Sequence, residues 1–385
     1  MLLRAYGPPV RRFDATIDQT LALDLARDFQ LVVRIAARAR HTDLGAELGR
    51  CGARRLTMEL LAAVGRDRLL VQTARQIAQI AAPIGVPIIW LKFAALRLLG
   101  HVKEGSRDAT DLDVLVRPRD AARLQAELIT HGFESSALPH WEQHLPALRS
   151  SVGVWLEVHD CLLGLREAPA GPSLTADDLL GSGTVIQSAE LPAGSYAPTP
   201  ELLLAHGIVH GYAQHGAAPS LYPLSRLFAD VGDLGVGEPG WELSRDARGW
   251  LRNELTDSEI DAVIALSQTL ARGDPPEALA PESPAELLLR HFVGGVVDPR
   301  YREKLKLAAV FRPVTDQSRV ASLLHQLRSG LFPNRAQLEV IYGPSSSKRK
   351  LLLRRVLRPF DLGRRMAKYV WSVARLRLVA RRSRR

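Results

Sequence analysis

The sequence predicts an α+β fold: a small mixed sheet with flanking helices, set inside a mainly helical chain. Two observations predict it. Leu, Ala and Arg recur through most of the 385 residues while aromatic residues make up only 6%, a balance that favours helix. Between residues 86 and 159, short apolar runs break the helical period and read as strands.

Residues 18–84 are expected to be helical, because apolar side chains recur at three and four residues, as in Met58-Leu61-Val64 and Leu70-Ala74-Ile77-Ile80. Gly85 marks a turn, and the continuous apolar run Val86 to Leu91 suits a buried strand that Lys92 ends. Phe93 to Leu99 resumes a helical pattern. After a loop around Gly105, Thr110 to Val116 alternates as a strand, and Asp120 is the expected N-cap of a helix over Ala121–Thr130. Val154 to His159 reads as a third strand, and the Gly-, Pro- and Ala-rich stretch from Leu165 to Ala197 as loop with short strands.

Further helices are expected from Pro200 to about Gln214, Leu224 to Leu234 and Ser258 to Ala271. Shorter ones should follow near Pro284–Phe292, Arg300–Phe311 and Asp316–Ser329, beyond the proline-rich loops at 273–276 and 281–284. No internal repeat of fixed period is visible. The expected organisation is an N-terminal helical region (1–84), a central core (85–197), a C-terminal helical domain (198–340) and a basic amphipathic tail (341–385).

Composition narrows the classes. With 46% hydrophobic residues the chain can bury a sizeable core. Cys51 and Cys161 stand far apart, which speaks against a disulfide framework or zinc ribbon and for a reducing compartment. The first residues lack the apolar stretch of a signal peptide. The nearest approach to a membrane-spanning run, Gln76 to Leu91, is broken by Pro83 and Pro87. The expected location is therefore cytoplasmic.

The net charge of +10 is unevenly placed. Residues 341–385 hold fifteen of the 51 basic residues and one of the 41 acids, so the preceding body is slightly acidic. From Leu362 to Arg385, apolar positions including Val370 and Trp371 alternate with Arg and Lys. Such a segment fits a peripheral contact with an anionic membrane surface, at the inner face, or a helix packed on the body. Nucleic acid is the less favoured partner.

The most informative feature is Asp111-Leu112-Asp113, inside the run Thr110 to Val116. A strand alternates its side chains, so the two aspartates share one face while Leu112, Val114 and Val116 anchor the other. Strand interiors disfavour Asp, and paired carboxylates repel unless a cation lies between them. Mg²⁺ is the natural occupant, since it takes oxygen ligands and completes its shell with water and phosphates. Glu157 shares its strand face with Trp155 and His159, which makes a third acid available.

These pieces resemble the nucleotidyltransferase superfamily of polymerase-β-type fold, and more narrowly a bacterial branch with a Leu-Lys-Gly entry motif. The resemblance is carried by Leu91-Lys92, Arg107, Asp111-Leu112-Asp113 and Glu157-Val158-His159. His206, His210 and Asp230, and Leu331-Phe332-Pro333, are similar to later parts of the same branch. It implies a nucleotidyltransferase-type sheet and transfer of a nucleoside monophosphate from an NTP to an acceptor hydroxyl or phosphate on a small molecule, sugar or peptide. Two Mg²⁺ ions would be held by Asp111, Asp113 and Glu157, which form the catalytic set. Lys92 and Arg107 would meet phosphate oxygens, and His159 would orient Glu157 or touch the acceptor. One position departs from the pattern: the glycine expected after Lys92 is Phe93. A phenyl ring there would either block the backbone's approach to phosphate or mark a displaced loop. If it blocks, the second reading applies, an inactive nucleotide-binding or scaffold protein docked at a membrane by its tail.

Other patterns favour structural readings. His206 and His210 stand at helical spacing, but without a third ligand nearby in sequence they read as packing or hydrogen-bonding groups. Gly343 to Lys348 lacks the second glycine of a phosphate loop and reads as a turn.

Overall fold

A computed structural model describes residues 30–40, 48–136, 145–162, 164–166, 171–187, 194–214, 224–272 and 279–289, with isolated positions elsewhere. Two compact units are distinguished, Met1–Ser136 with Trp141–Ala309, and Ala137–His140 with Val310–Arg385. The sheet, its helices and the candidate site lie in the first. The helices expected over 300–329 and the amphipathic segment 362–385 lie outside the described residues.

Among the described residues seven strands form one mixed sheet: β1 (Ile88–Trp90), β2 (Asp111–Leu115), β3 (Glu134–Ser135), β4 (Leu148–Arg149), β5 (Trp155–His159), β6 (Val185–Gln187) and β7 (Ser195–Pro198). Their order is β3-β4-β5-β2-β1-β7-β6. The central pair β2 and β5 runs parallel, whereas β1 and β2 run antiparallel. A parallel neighbour requires a crossover, and the helix Pro118–Thr130 lies between β2 and β5 in the chain. That helix starts earlier than the sequence reading placed it. Arg117 is its N-cap and Pro118 opens it, because proline is preorganised for the first helical position; Asp120 sits inside the first turn.

Helices among the described residues include α1 (Val32–Ala39), α2 (Gly49–Ala81), α3 (Lys92–Leu98), α4 (Pro118–Thr130), α5 (Ala176–Ser182), α6 (Pro200–Ile208), α7 (Leu224–Asp233), α8 (Arg245–Arg252) and α9 (Asp257–Arg272), and residues 284–289 are helical where the sequence predicts a helix. The run expected as one helix to Gln214 is α-helical only to Ile208 and continues as a π-helical segment, Val209–Gln214. Each sheet face has its own core. Leu112, Val114, Leu156 and Val158 pack with Ile77, Phe93 and Leu124 on one side. Leu115, Ile89 and Leu91 pack with Leu204, Ile208 and Phe228 on the other. Alternation thus sends Asp113, Glu157 and His159 toward α6 and α7. Among the described residues no helix is long and apolar enough to cross a membrane.

Candidate active site

Parallel pairing aligns Asp113 with Glu157 and Leu115 with His159, so the two strands deliver their polar side chains to one face in step. Asp113, Glu157 and His159 each offer a ligand atom within 4.8 Å of the others. Asp111 faces the same side, opposite Trp155, but lies one pleat away, roughly 6–7 Å along the strand, and is partly exposed. The group that lies closest together therefore includes His159, where the sequence reading drew Asp111 into the metal set.

Asp113 is almost fully buried and is matched on two sides. Lys92 Nζ donates to its Oδ1 at 2.6 Å, and His159 Nε2 lies 2.9 Å from the same oxygen. His159 also stands 3.6 Å from Glu157 Oε2. Burial disfavours the Asp113 charge, yet the Lys92 ammonium and the His159 hydrogen bond outweigh it and hold the carboxyl well below its ordinary range. Burial likewise opposes charge on Lys92 and His159. The carboxylates of Asp113, Glu157 and Asp111 prevail at Lys92, and those of Asp113 and Glu157 at His159, so both pKa values rise.

Lys92 reaches this position through an uncommon backbone. Its φ is +47°, a left-handed value for a residue with a long side chain, and such conformations concentrate at functional sites. The conformational freedom of the entry motif is thus used at Lys92, one residue before the expected glycine. Phe93 consequently turns into the core beside Leu70, Ala74 and Leu112, on the sheet face opposite the carboxylates. The ring therefore stands away from the face on which the carboxylates converge and does not fill that space.

Arg107 is buried and forks onto Asp230 of α7: Nε to Oδ1 and Nη2 to Oδ2, each at 2.7 Å. Its guanidinium carbon lies 5.2 Å from the centroid of the Phe93 ring. The sequence reading placed Arg107 on phosphate; in the structure it ties α7 to the segment leading into β2. Asp67 of α2 holds the same segment by accepting from the Gly105 amide at 2.8 Å.

His206 and His210 sit beside this constellation, their rings 5.9 Å apart and tilted by 44°. Burial, reinforced by the positive charges of Lys92 and His159, pushes the His206 pKa down to about 3. His206 is therefore a neutral imidazole near the acids. In sequence it reads as a packing or hydrogen-bonding group, and its proximity to Lys92 leaves no local pattern because more than a hundred residues separate them.

Residues 15–231 match the family described as uncharacterised nucleotidyltransferase. The chain belongs to that family. A nucleotidyltransferase activity accords with the acid-bearing strands, which fall inside the matched span. One similar solved structure is the solution structure of the antibiotic-resistance factor ANT(2'')-Ia, with 15% identity, a TM-score of 0.30, and coverage of 68% of this chain and 98% of that one. No curated protein matches the chain.

Proposed function

We propose that the chain is a Mg²⁺-dependent nucleotidyltransferase that moves a nucleoside monophosphate from an NTP to an acceptor hydroxyl or phosphate. The observation that carries this reading is the parallel register of Asp113 with Glu157, two carboxylates brought together on one face of the two central strands. The donor set suits a hard cation: oxygen ligands dominate, and the buried Asp113 already accommodates the positive charge of Lys92. Asp113 and Glu157, with Asp111 beside them, would hold the metal. When bound, Mg²⁺ neutralises the phosphate oxygens and steadies the developing charge.

The protein's own groups do the rest. Lys92 releases Asp113 and turns its ammonium to the triphosphate, a short movement because both partners already meet in the same space. His159 stays on Asp113 and steadies the face that carries Glu157. An acceptor hydroxyl oxygen bonds to the α-phosphorus, and the bond from that phosphorus to the β-bridging oxygen breaks. Pyrophosphate leaves, and the hydroxyl proton passes to Glu157. Arg107 contributes by holding α7 in place rather than by meeting phosphate. Such reactions depend mainly on positioning and charge neutralisation.

The test is pyrophosphate release with Mg²⁺ and each labelled NTP. Asp113→Asn and Glu157→Gln should lower it by more than about a hundredfold, beyond the range typical of supporting residues. Unchanged release in both variants rejects the assignment. For residues 362–385 the reading keeps an anionic membrane surface as partner, supported by their basic, Trp-containing composition. Co-sedimentation with anionic vesicles should fall when the chain ends at 361, and equal sedimentation discards that contact.

A further inference from the structure

A small hollow opens beside the acid cluster, lined by Lys92, His206, Gly207, His210, Leu227 and Asp230 among leucines. Lys92 belongs to both places, since its ammonium bonds Asp113 while its side chain borders the hollow. The space open to the centre of a water-sized sphere is about 30 Å³, more than the roughly 10–15 Å³ that one water needs by that measure, so the partly open hollow admits a small group of a larger molecule.

Two independent features mark this hollow as a binding place. His206 is only 6% exposed, and among the described residues no hydrogen bond engages its ring. The ring lines the hollow with its hydrogen-bonding capacity unused by the described residues, so an entering ligand group can bond to it. Directly beyond α6 the chain widens into the π-helical segment that carries His210, and such widenings recur at functional sites.

The lining also selects by charge. Lys92 is matched by Asp113, and both oxygens of Asp230 accept from Arg107. No lining carboxylate is left to reward a cation, and a cation would meet the Lys92 ammonium at close range. A neutral imidazole can accept a hydrogen bond from a hydroxyl or donate one to it.

We propose that this hollow seats the reacting hydroxyl of an acceptor that carries no positive charge there, held by His206 and presented past Lys92 to the carboxylates. The proposal rests on the nucleotidyl-transfer reading and names the acceptor class for it.

The experiment uses the full chain labelled with ¹⁵N-histidine, observed by NMR near neutral pH, with three group-sized probes: ethylene glycol, ethanolamine, which is cationic there, and inorganic phosphate. The His206 resonance is assigned by its loss in His206→Gln. Ethylene glycol should shift it more than either charged probe. Gly207→Ala should abolish that shift, because the added methyl narrows the hollow. Its Cβ would come no nearer than 3.9 Å to Leu227 Cδ1, an ordinary contact that the fold tolerates. A larger shift from ethanolamine or phosphate, no shift from any probe, or a shift that survives Gly207→Ala overturns the hydroxyl seat. Calorimetric titration with Mg²⁺ and each NTP separates the two readings. Nucleotide binding without a glycol shift overturns the seat alone, whereas binding of no NTP overturns the transfer reading and the acceptor role with it.

Discussion

Lys92 Nζ and Asp113 Oδ1, 2.6 Å apart and both largely buried, form an internal ion pair in the space where the carboxylates converge. The pair solves the electrostatic problem that the sequence poses, since a buried acid beside a second acid needs a positive partner.

Replacing Lys92 with Met should therefore leave Asp113 under-compensated. Removing one partner of a buried pair costs roughly 3–5 kcal/mol, and thermal melts in a chelator should show a clear drop in Tm. Mg²⁺ should then restore more of the Tm in Lys92→Met than it adds to the wild type, while pyrophosphate release stays low. Equal Mg²⁺ effects on both proteins would mean that the ammonium and the metal do not share a site.

The fork between Arg107 and Asp230 joins segments 123 residues apart. Arg107→Met or Asp230→Asn should each cost about 3–5 kcal/mol, because the remaining charge stays buried. Arg107→Lys should not recover the loss, since an ammonium cannot make two parallel bonds to one carboxylate. Combining Arg107→Met with Asp230→Leu should cost less than the summed single losses, a coupling that denaturant titration can measure. Additive losses would place the two groups outside direct contact in solution.

Local periodicity made the acid-bearing strands legible, because alternation alone sends Asp111 and Asp113 to one face and Leu112 and Val114 to the other. It could not give register, which decides that Asp113 rather than Asp111 stands level with Glu157. Two-residue strands such as β3 and β4 carry no period at all. The helix α8 went unseen because only Ala247 and Leu251 are buried within it, although Ser244 is a recognisable N-cap. Asp230 as the partner of Arg107 left no local trace, as pairing over that distance is set by tertiary packing. The direction of the Phe93 ring was not legible, because it depends on the left-handed backbone of Lys92, which no local pattern announces.

Phe93→Gly accordingly should not rescue activity. The ring is 4% exposed and packs in the core beneath Arg107. Losing it should cost roughly 3–5 kcal/mol in cavity formation, with a further helix penalty of about 1 kcal/mol for glycine. Melting temperature should fall and pyrophosphate release should not rise. A several-fold gain in release with unchanged Tm would return the ring to the nucleotide's path.

The neutral state of His206 gives a signature in pH. In the unfolded chain a histidine takes up its proton near pH 6.5, while in the fold this one resists until about 3. Between those values the unfolded state binds the extra proton, so stability falls as pH falls through that window. The slope approaches 1.4 kcal/mol per pH unit, or about 2 kcal/mol by pH 5. His159 acts with the opposite sign and in a different window. Its raised pKa gives stability that is complete below 6.5 and declines as pH rises through the folded value. Asp113, held well below its ordinary range, contributes above 3.8 and loses its effect only in stronger acid. Melts of the wild type and His206→Asn between pH 7 and 5 should therefore diverge, the variant losing less Tm on acidification. Parallel curves would mean that solvent reaches the ring and that burial does not keep it neutral.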